Sequence, residues 1–134
     1  MLILGQRYIH PFVFSQDEIN AFAAVTGDNN PVHLDAEFAA TTLFKKPIMH
    51  GMLGGAVFSR VFGTLFPGKG TIYLSQSLTF LKPMYVEENY EAVFEVKEIF
   101  REKNRALIST SIQNSEGKKV VEGEALIMNT AAIQ

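Results

Sequence analysis

From Arg7 to Phe14, side chains alternate so that Tyr8, Phe12 and Phe14 fall on one side, which predicts a strand. The spacing then changes. Ser15-Gln16-Asp17-Glu18 has the form of a capping box, in which Ser15 accepts from a backbone N–H three residues on and Glu18 reaches back. The helix it opens is expected to run to about Thr26, burying Ile19, Phe22, Ala23 and Val25, with Gly27 as its stop. A turn-forming stretch follows, Asp28-Asn29-Asn30-Pro31-Val32-His33-Leu34-Asp35, in which Pro31 pushes Asn30 toward an extended conformation. Asp35 is placed to cap a short helix through about Thr42, and Leu43 to His50 reads as a loop.

Gly51 to Phe66 is apolar or small except at Ser59, Arg60 and Thr64. It lacks a two-residue alternation, is too long for an ordinary strand, and is closed by Pro67 and Gly68, so it predicts a helix. Apolar groups on all sides of the wheel suggest a helix buried in a core, with Gly51, Gly55, Phe58, Phe62 and Leu65 on one side and Arg60 opposite. Alternation then returns for good, over Thr71 to Leu81, Tyr90 to Phe100, Arg105 to Gln113 and Val120 to Met128. Along Tyr90 to Phe100, either Ala92, Phe94 and Val96 or Val93 and Ile99 form the inward set. Lys103-Asn104 and Asn114-Ser115-Glu116-Gly117 are short turn signals, which makes these strands antiparallel hairpins. The order predicts an α+β domain: one antiparallel sheet wrapped around one long buried helix, with short helices beside it. Open outer strands favour a dimer.

Composition narrows this little. The chain has 134 residues, enough for one domain over 1–134 with a real core. A net charge of -2 gives no basic field for nucleic acid, and the absence of cysteine excludes disulfides, thiolate zinc sites and a cysteine nucleophile. The N-terminus does not read as a secretory signal, and the apolar helix is too short and glycine-rich for a membrane span, so a cytoplasmic protein without membrane attachment is expected.

Gly51, Gly54 and Gly55 open the apolar helix, each costing about 1 kcal/mol relative to Ala. Either something approaches the helix N-terminus closely, where free N–H groups attract a polarised oxygen, or the helix packs tightly on the sheet. Asp28 and His33, five residues apart in a turn held by Pro31, place a carboxylate and an imidazole where both can grip one water. Taken alone, such a pair is more often structural. His50, beside Gly51, reads as a packing or capping residue, and His10 as a surface or interface group. Arg60 on an apolar helix suggests a structural ion pair. Lys45, Lys46, Lys69 and Lys82 read as solvated, although each is a candidate for a phosphate.

Asp28-Asn29-Asn30-Pro31-Val32-His33, Asp35, and Pro47-Ile48-Met49-His50-Gly51-Met52 ahead of a glycine-rich apolar helix together resemble the MaoC-like hot-dog-fold family. Within it the chain is most similar to the (R)-specific enoyl-CoA hydratases that feed polyhydroxyalkanoate synthesis. The resemblance spans essentially the whole chain, including Phe38-Ala39-Ala40-Thr41-Thr42 and Pro67-Gly68-Lys69-Gly70-Thr71-Ile72-Tyr73-Leu74. All fixed positions of the family motif D-x-N-P-x-H are present. The resemblance implies a hot-dog fold, a homodimer, and a hydro-lyase that reversibly adds water to trans-2-enoyl-CoA, giving (R)-3-hydroxyacyl-CoA without metal or redox cofactor. It implies Asp28 and His33 as the catalytic pair, the backbone N–H of Gly51 as the thioester oxyanion donor, and Ser59 as a hydrogen-bond partner of the aspartate. Asn30 and Pro31 would orient and stiffen the turn. Three alternatives stay open: a 3-hydroxyacyl-ACP dehydratase of fatty-acid synthesis, a hot-dog thioesterase, and a non-catalytic acyl-CoA-binding subunit. A thioesterase would need a carboxylate aimed at the thioester carbon, which the D-x-N-P-x-H turn does not suggest.

Overall fold

The computed structural model describes residues 1–134. Strand β1 (Arg7–Phe12) leads into helix α1 (Gln16–Thr26), whose capping box closes as the sequence predicts: Glu18 N–H donates to Ser15 Oγ at 3.2 Å and Ser15 N–H to Glu18 Oε1 at 2.9 Å. Gly27 ends it in the left-handed region at φ 78°. Ile19 and Ala23 are buried, but Val25 is 86% exposed, on the solvent side of α1.

The turn after Gly27 contains a short helix that alternation did not reveal, α2 (Pro31–Leu34). Pro31 occupies its first turn, and Asn30 caps it by accepting from Val32 N–H at 3.2 Å. Asp35 then caps α3 (Ala36–Ala40), its carboxylate accepting from Glu37 and Phe38 N–H.

Helix α4 (Gly51–Thr64) is the apolar run, and it is not buried all round. Gly54, Val57, Phe58, Val61 and Phe62 face the core. Met52, Ala56, Ser59, Arg60 and Gly63 form an open stripe opposite, and Leu65 is also exposed. The sheet covers one side of α4; nothing in the chain covers the other. Arg60 accordingly faces solvent without an ion pair, contrary to the structural pairing expected of it.

Thr71 to Leu81 is two strands rather than one, β2 (Ile72–Gln76) and β3 (Thr79–Phe80). Their break lies against Gly123: a Cβ there would sit 1.8 Å from the Ser77 carbonyl oxygen. Ser77 N–H donates to the Glu124 carbonyl, and Glu124 N–H to Ser77 Oγ, both at 2.9 Å. The chain thus bends over a bare backbone position in the next strand.

Strands β4 (Tyr90–Phe100), β5 (Arg105–Asn114) and β6 (Lys119–Met128) are long and antiparallel, as expected. The six-stranded sheet runs β1-β4-β5-β6-β2, with β3 also paired to β6. Ala92, Phe94 and Val96 of β4 point inward and are at most 1% exposed, with Ile108, Ile112, Ala125 and Ile127 beside them. Phe58 and Phe62 of α4 meet the Phe94 ring edge-on at 5.6 and 5.2 Å. This is the hot-dog arrangement, a sheet wrapped around a helix. No helix is long and apolar enough to cross a membrane.

Candidate active site

The chemistry gathers where the turn 28–33 meets the start of α4. Asp28 follows the left-handed stop of α1 directly, so the end of that helix fixes where the carboxylate begins. Asp28 is exposed and His33 half-buried. Donor atoms of Asp28, His33 and His50 all lie within 4.8 Å of one another.

His33 is held by main-chain atoms. Its Nδ1 lies 2.7 Å from the Ile48 carbonyl oxygen, which can only accept, so Nδ1 carries the hydrogen and Nε2 keeps its lone pair. The His33 carbonyl accepts from Gln16 Nε2 at 2.9 Å, tying the turn to α1. Ile48 N–H donates to the Val32 carbonyl at 3.2 Å, and Met49 N–H to the Met84 carbonyl at 2.7 Å. The strand-like connector 48–49 is therefore bonded to the turn on one side and to the sheet region on the other.

Burial is the main cause that lowers the His33 pKa. The Ile48 hydrogen bond opposes it, the neighbouring His50 adds to it, and Asp28 opposes it. The site thus favours a neutral imidazole with a free Nε2 beside an acceptor-only carboxylate.

His50 is 2% exposed and caps α4 with its backbone. Its ring stacks on His33 at 3.9 Å and meets Phe22 at 4.8 Å, while Nε2 lies 2.8 Å from the Asp28 carbonyl oxygen. The packing role expected of it holds, but at the centre of the site. Asp28, His33 and His50 are also the three nearest donors for a metal ion. One ring nitrogen of each histidine, His33 Nδ1 and His50 Nε2, is already bonded to a backbone carbonyl.

The first N–H groups of α4, on Gly51 and Met52, donate to nothing in the chain. They border a pocket of about 410 Å³ that also holds Asp28, His33 and His50. Phe44, Phe80, Leu81 and Met84 contribute its apolar walls, and Lys82 also lines it. Gly51, Gly54 and Gly55 prove to be packing positions. A Cβ on Gly54 would meet Met84 Cε at 2.6 Å, one on Gly55 would meet Leu78 at 3.1 Å, and one on Gly51 would meet the Phe80 ring at 2.6 Å. The space beside Gly51 that sequence reasoning assigned to a ligand is filled by Phe80, although its N–H stays free.

Asp28, Asn30, Pro31, His33 and Gly51 are thus brought to one place, Asn30 and Pro31 by shaping α2. Ser59 is not among them. It lies on the open stripe of α4, in a second pocket with Tyr73, Ser75 and Gln76, and makes no hydrogen bond to Asp28 within the chain. His10 lies near Arg60 in a third pocket, and Lys46 pairs with Glu88 at 3.0 Å and does not line the pocket of Asp28 and His33. Phe44, Phe80 and Met84 were missed as walls, since each looks like core in sequence and comes from a different segment.

Comparison with known proteins places the chain in a family. The MaoC like domain model matches residues 4–119. An (R)-specific enoyl-CoA hydratase of Aeromonas caviae is 46% identical over 126 residues, 94% of each chain. A mitochondrial 3-hydroxyacyl-[acyl-carrier-protein] dehydratase of Arabidopsis thaliana is 34% identical over 93% of this chain and 76% of its own. Among solved structures, an (R)-hydratase from A. caviae involved in PHA biosynthesis superposes with a TM-score of 0.93 at 43% identity, covering 96% of this chain and 97% of that one.

Proposed function

The chain belongs to the MaoC-like domain family, and from that membership we propose that it is an (R)-specific enoyl-CoA hydratase, reversibly adding water to trans-2-enoyl-CoA to give (R)-3-hydroxyacyl-CoA. The observation that carries this reading is the convergence, in one pocket, of the Asp28 carboxylate, the lone pair on His33 Nε2 and the free N–H groups of Gly51 and Met52.

Each part has a role in the reaction. One water donates a hydrogen to Asp28 and the other to His33 Nε2, which turns its oxygen lone pair toward the β-carbon. As the C–O bond forms, one proton passes to the Asp28/His33 pair and the alkene electrons move onto the thioester as an enolate. The enolate oxygen is received by the N–H of Gly51 at the positive end of α4, a donor already in place before charge develops. The enolate then takes the proton back at the α-carbon from the same face. Atoms balance as one water added across one double bond, and dehydration is the same path reversed. Asp28 and His33 act as one coupled unit. Ser59 is a supporting residue only if a second chain brings it near a carboxylate, since its own chain does not.

The second reading, a 3-hydroxyacyl-ACP dehydratase, keeps the same chemistry and changes the carrier. It is supported by the Arabidopsis relative, and by Lys82, a pocket-lining cation that makes no ion pair in the chain. We also infer a homodimer, supported by the open stripe of α4 and by Ile72 and Leu74, 50% and 39% exposed on the edge strand β2, and we infer a cytoplasmic location, with which the lack of a membrane-spanning helix is consistent.

The test is loss of enoyl-thioester absorbance when purified protein meets crotonyl-CoA, with product chirality read by an (R)-specific dehydrogenase. Rapid loss giving the (R) product supports the proposal. Crotonyl-CoA left untouched while crotonyl-ACP is hydrated moves it to the second reading. A folded protein inert to both, and to longer chains, refutes it.

A further inference from the structure

His50 is more elaborate than packing requires. An apolar aromatic ring would stack on the same neighbours without a buried polar atom. The histidine instead buries an Nδ1 with no hydrogen-bond partner, which is destabilising. What it gains is a single bond. A carbonyl can only accept, so His50 Nε2 carries the ring hydrogen and donates to the Asp28 carbonyl at 2.8 Å. That carbonyl has no other partner in the chain. Asp28 is otherwise tied only through its own N–H, to Thr26 Oγ1 at 3.2 Å, and neither it nor Asn29 belongs to a helix or strand. The same ring lies 3.9 Å from the His33 ring, and the His50 carbonyl accepts from Leu53 N–H at 3.1 Å in the first turn of α4. One buried residue therefore touches the carboxylate's backbone, the imidazole's face and the helix end that offers the oxyanion donors.

We propose that His50 is a positioning residue: through its Nε2–H bond to the Asp28 carbonyl, it sets the Asp28 carboxylate at the distance from His33 Nε2 that holds one water. This rests on the hydratase reading for its kinetics, and on geometry alone for its structural consequence. His50 itself exchanges no proton with substrate.

Two variants separate the bond from the stack. His50→Phe keeps an aromatic ring but removes the donor, and His50→Gln places an amide N–H near the position of Nε2. With crotonyl-CoA, His50→Phe should lower kcat by about 10- to 100-fold with KM changed less than about threefold, the size expected when a reacting group is displaced by about an ångström. His50→Gln should recover most of the lost kcat. Unchanged kcat in His50→Phe, equal losses in both variants, or a loss confined to KM would overturn the inference. If His50→Phe does not fold, His50→Asn, whose amide stops short of the carbonyl, takes its place against His50→Gln. If the parent protein proves inert, the hydratase reading fails on its own. The inference is then decided by crystal structures: the Asp28 peptide shifts in His50→Phe and not in His50→Gln, and an unmoved peptide refutes it.

Discussion

At the scale of single residues, the site's behaviour follows from which atoms carry hydrogens. Asp28→Asn turns an acceptor-only carboxylate into a group that also donates, and His33→Ala removes the Nε2 lone pair. Each is expected to lower kcat for crotonyl-CoA by about 10³-fold, the usual scale for a lost general acid–base group, with circular dichroism unchanged. Near-normal turnover in both would refute the mechanism. The pH profile has a defined direction as well. Burial disfavours the charged imidazole, so His33 stays neutral at pH values where a free histidine, with its pKa near 6.5, is already protonating. The acid limb of kcat/KM is therefore expected below pH 6.5: activity is kept above it and lost as pH falls through the lowered pKa. The stability linked to this group runs the same way, since the unfolded chain takes up the proton first. An acid limb above 6.5, absent in no His33 variant, would contradict the assignment. The motif holding Asp28 and His33 was legible in sequence because it is local. The part played by His50 was not, because the stack brings together Phe22, His33 and His50 from three separate segments of the chain.

At the scale of elements, local signals were read well and tertiary ones were not. The capping box of α1, the Asp35 cap of α3 and the three long strands follow from short-range patterns, and all are present. Ser15→Ala should cost about 1 kcal/mol in chemical denaturation, the usual worth of an N-cap. The break between β2 and β3 could not be read from Thr71 to Leu81, since its cause sits in β6. Gly123→Ala would drive a methyl into the Ser77 carbonyl, and backbone cannot swing aside as a side chain can. It is expected to cost about 3 kcal/mol or more, or to prevent folding, against about 1 kcal/mol or less for an ordinary surface change. The glycines of α4 carry a related lesson. Their helix penalty signalled close approach, but periodicity cannot say whether a ligand or a neighbouring side chain approaches. At Gly54 and Gly55 the answer is Met84 and Leu78.

At the scale of the whole molecule, the chain leaves one flank unfinished. Met52, Ala56 and Ser59 on α4 and Ile72 and Leu74 on β2 are apolar or small, open to solvent, and next to a sheet edge with no further strand. Light scattering should give the mass of two chains. Leu74→Glu at this edge is expected to weaken the pair by at least about tenfold in dissociation constant, as a buried unpaired charge does. A parent protein that stays monomeric at micromolar concentration would refute the homodimer. Sequence predicted a helix apolar on every side; the single chain shows why, since its sheet uses only one of them.

The main-chain tethers around His33 have a further effect. Its hydrogen goes to the carbonyl of Ile48, and residue 49 is bonded to the carbonyl of Met84. The prospective oxyanion donor is the amide of Gly51. None of these contacts depends on the identity of a side chain at 48, 49 or 84. Point mutation therefore cannot easily erase them, while the walls at Phe44 and Leu81 are side chains that a substitution reshapes directly. Lineages descending from such a scaffold can explore new acyl groups while inheriting the reaction unchanged, and a randomised library at those wall positions would retrace that drift in the laboratory.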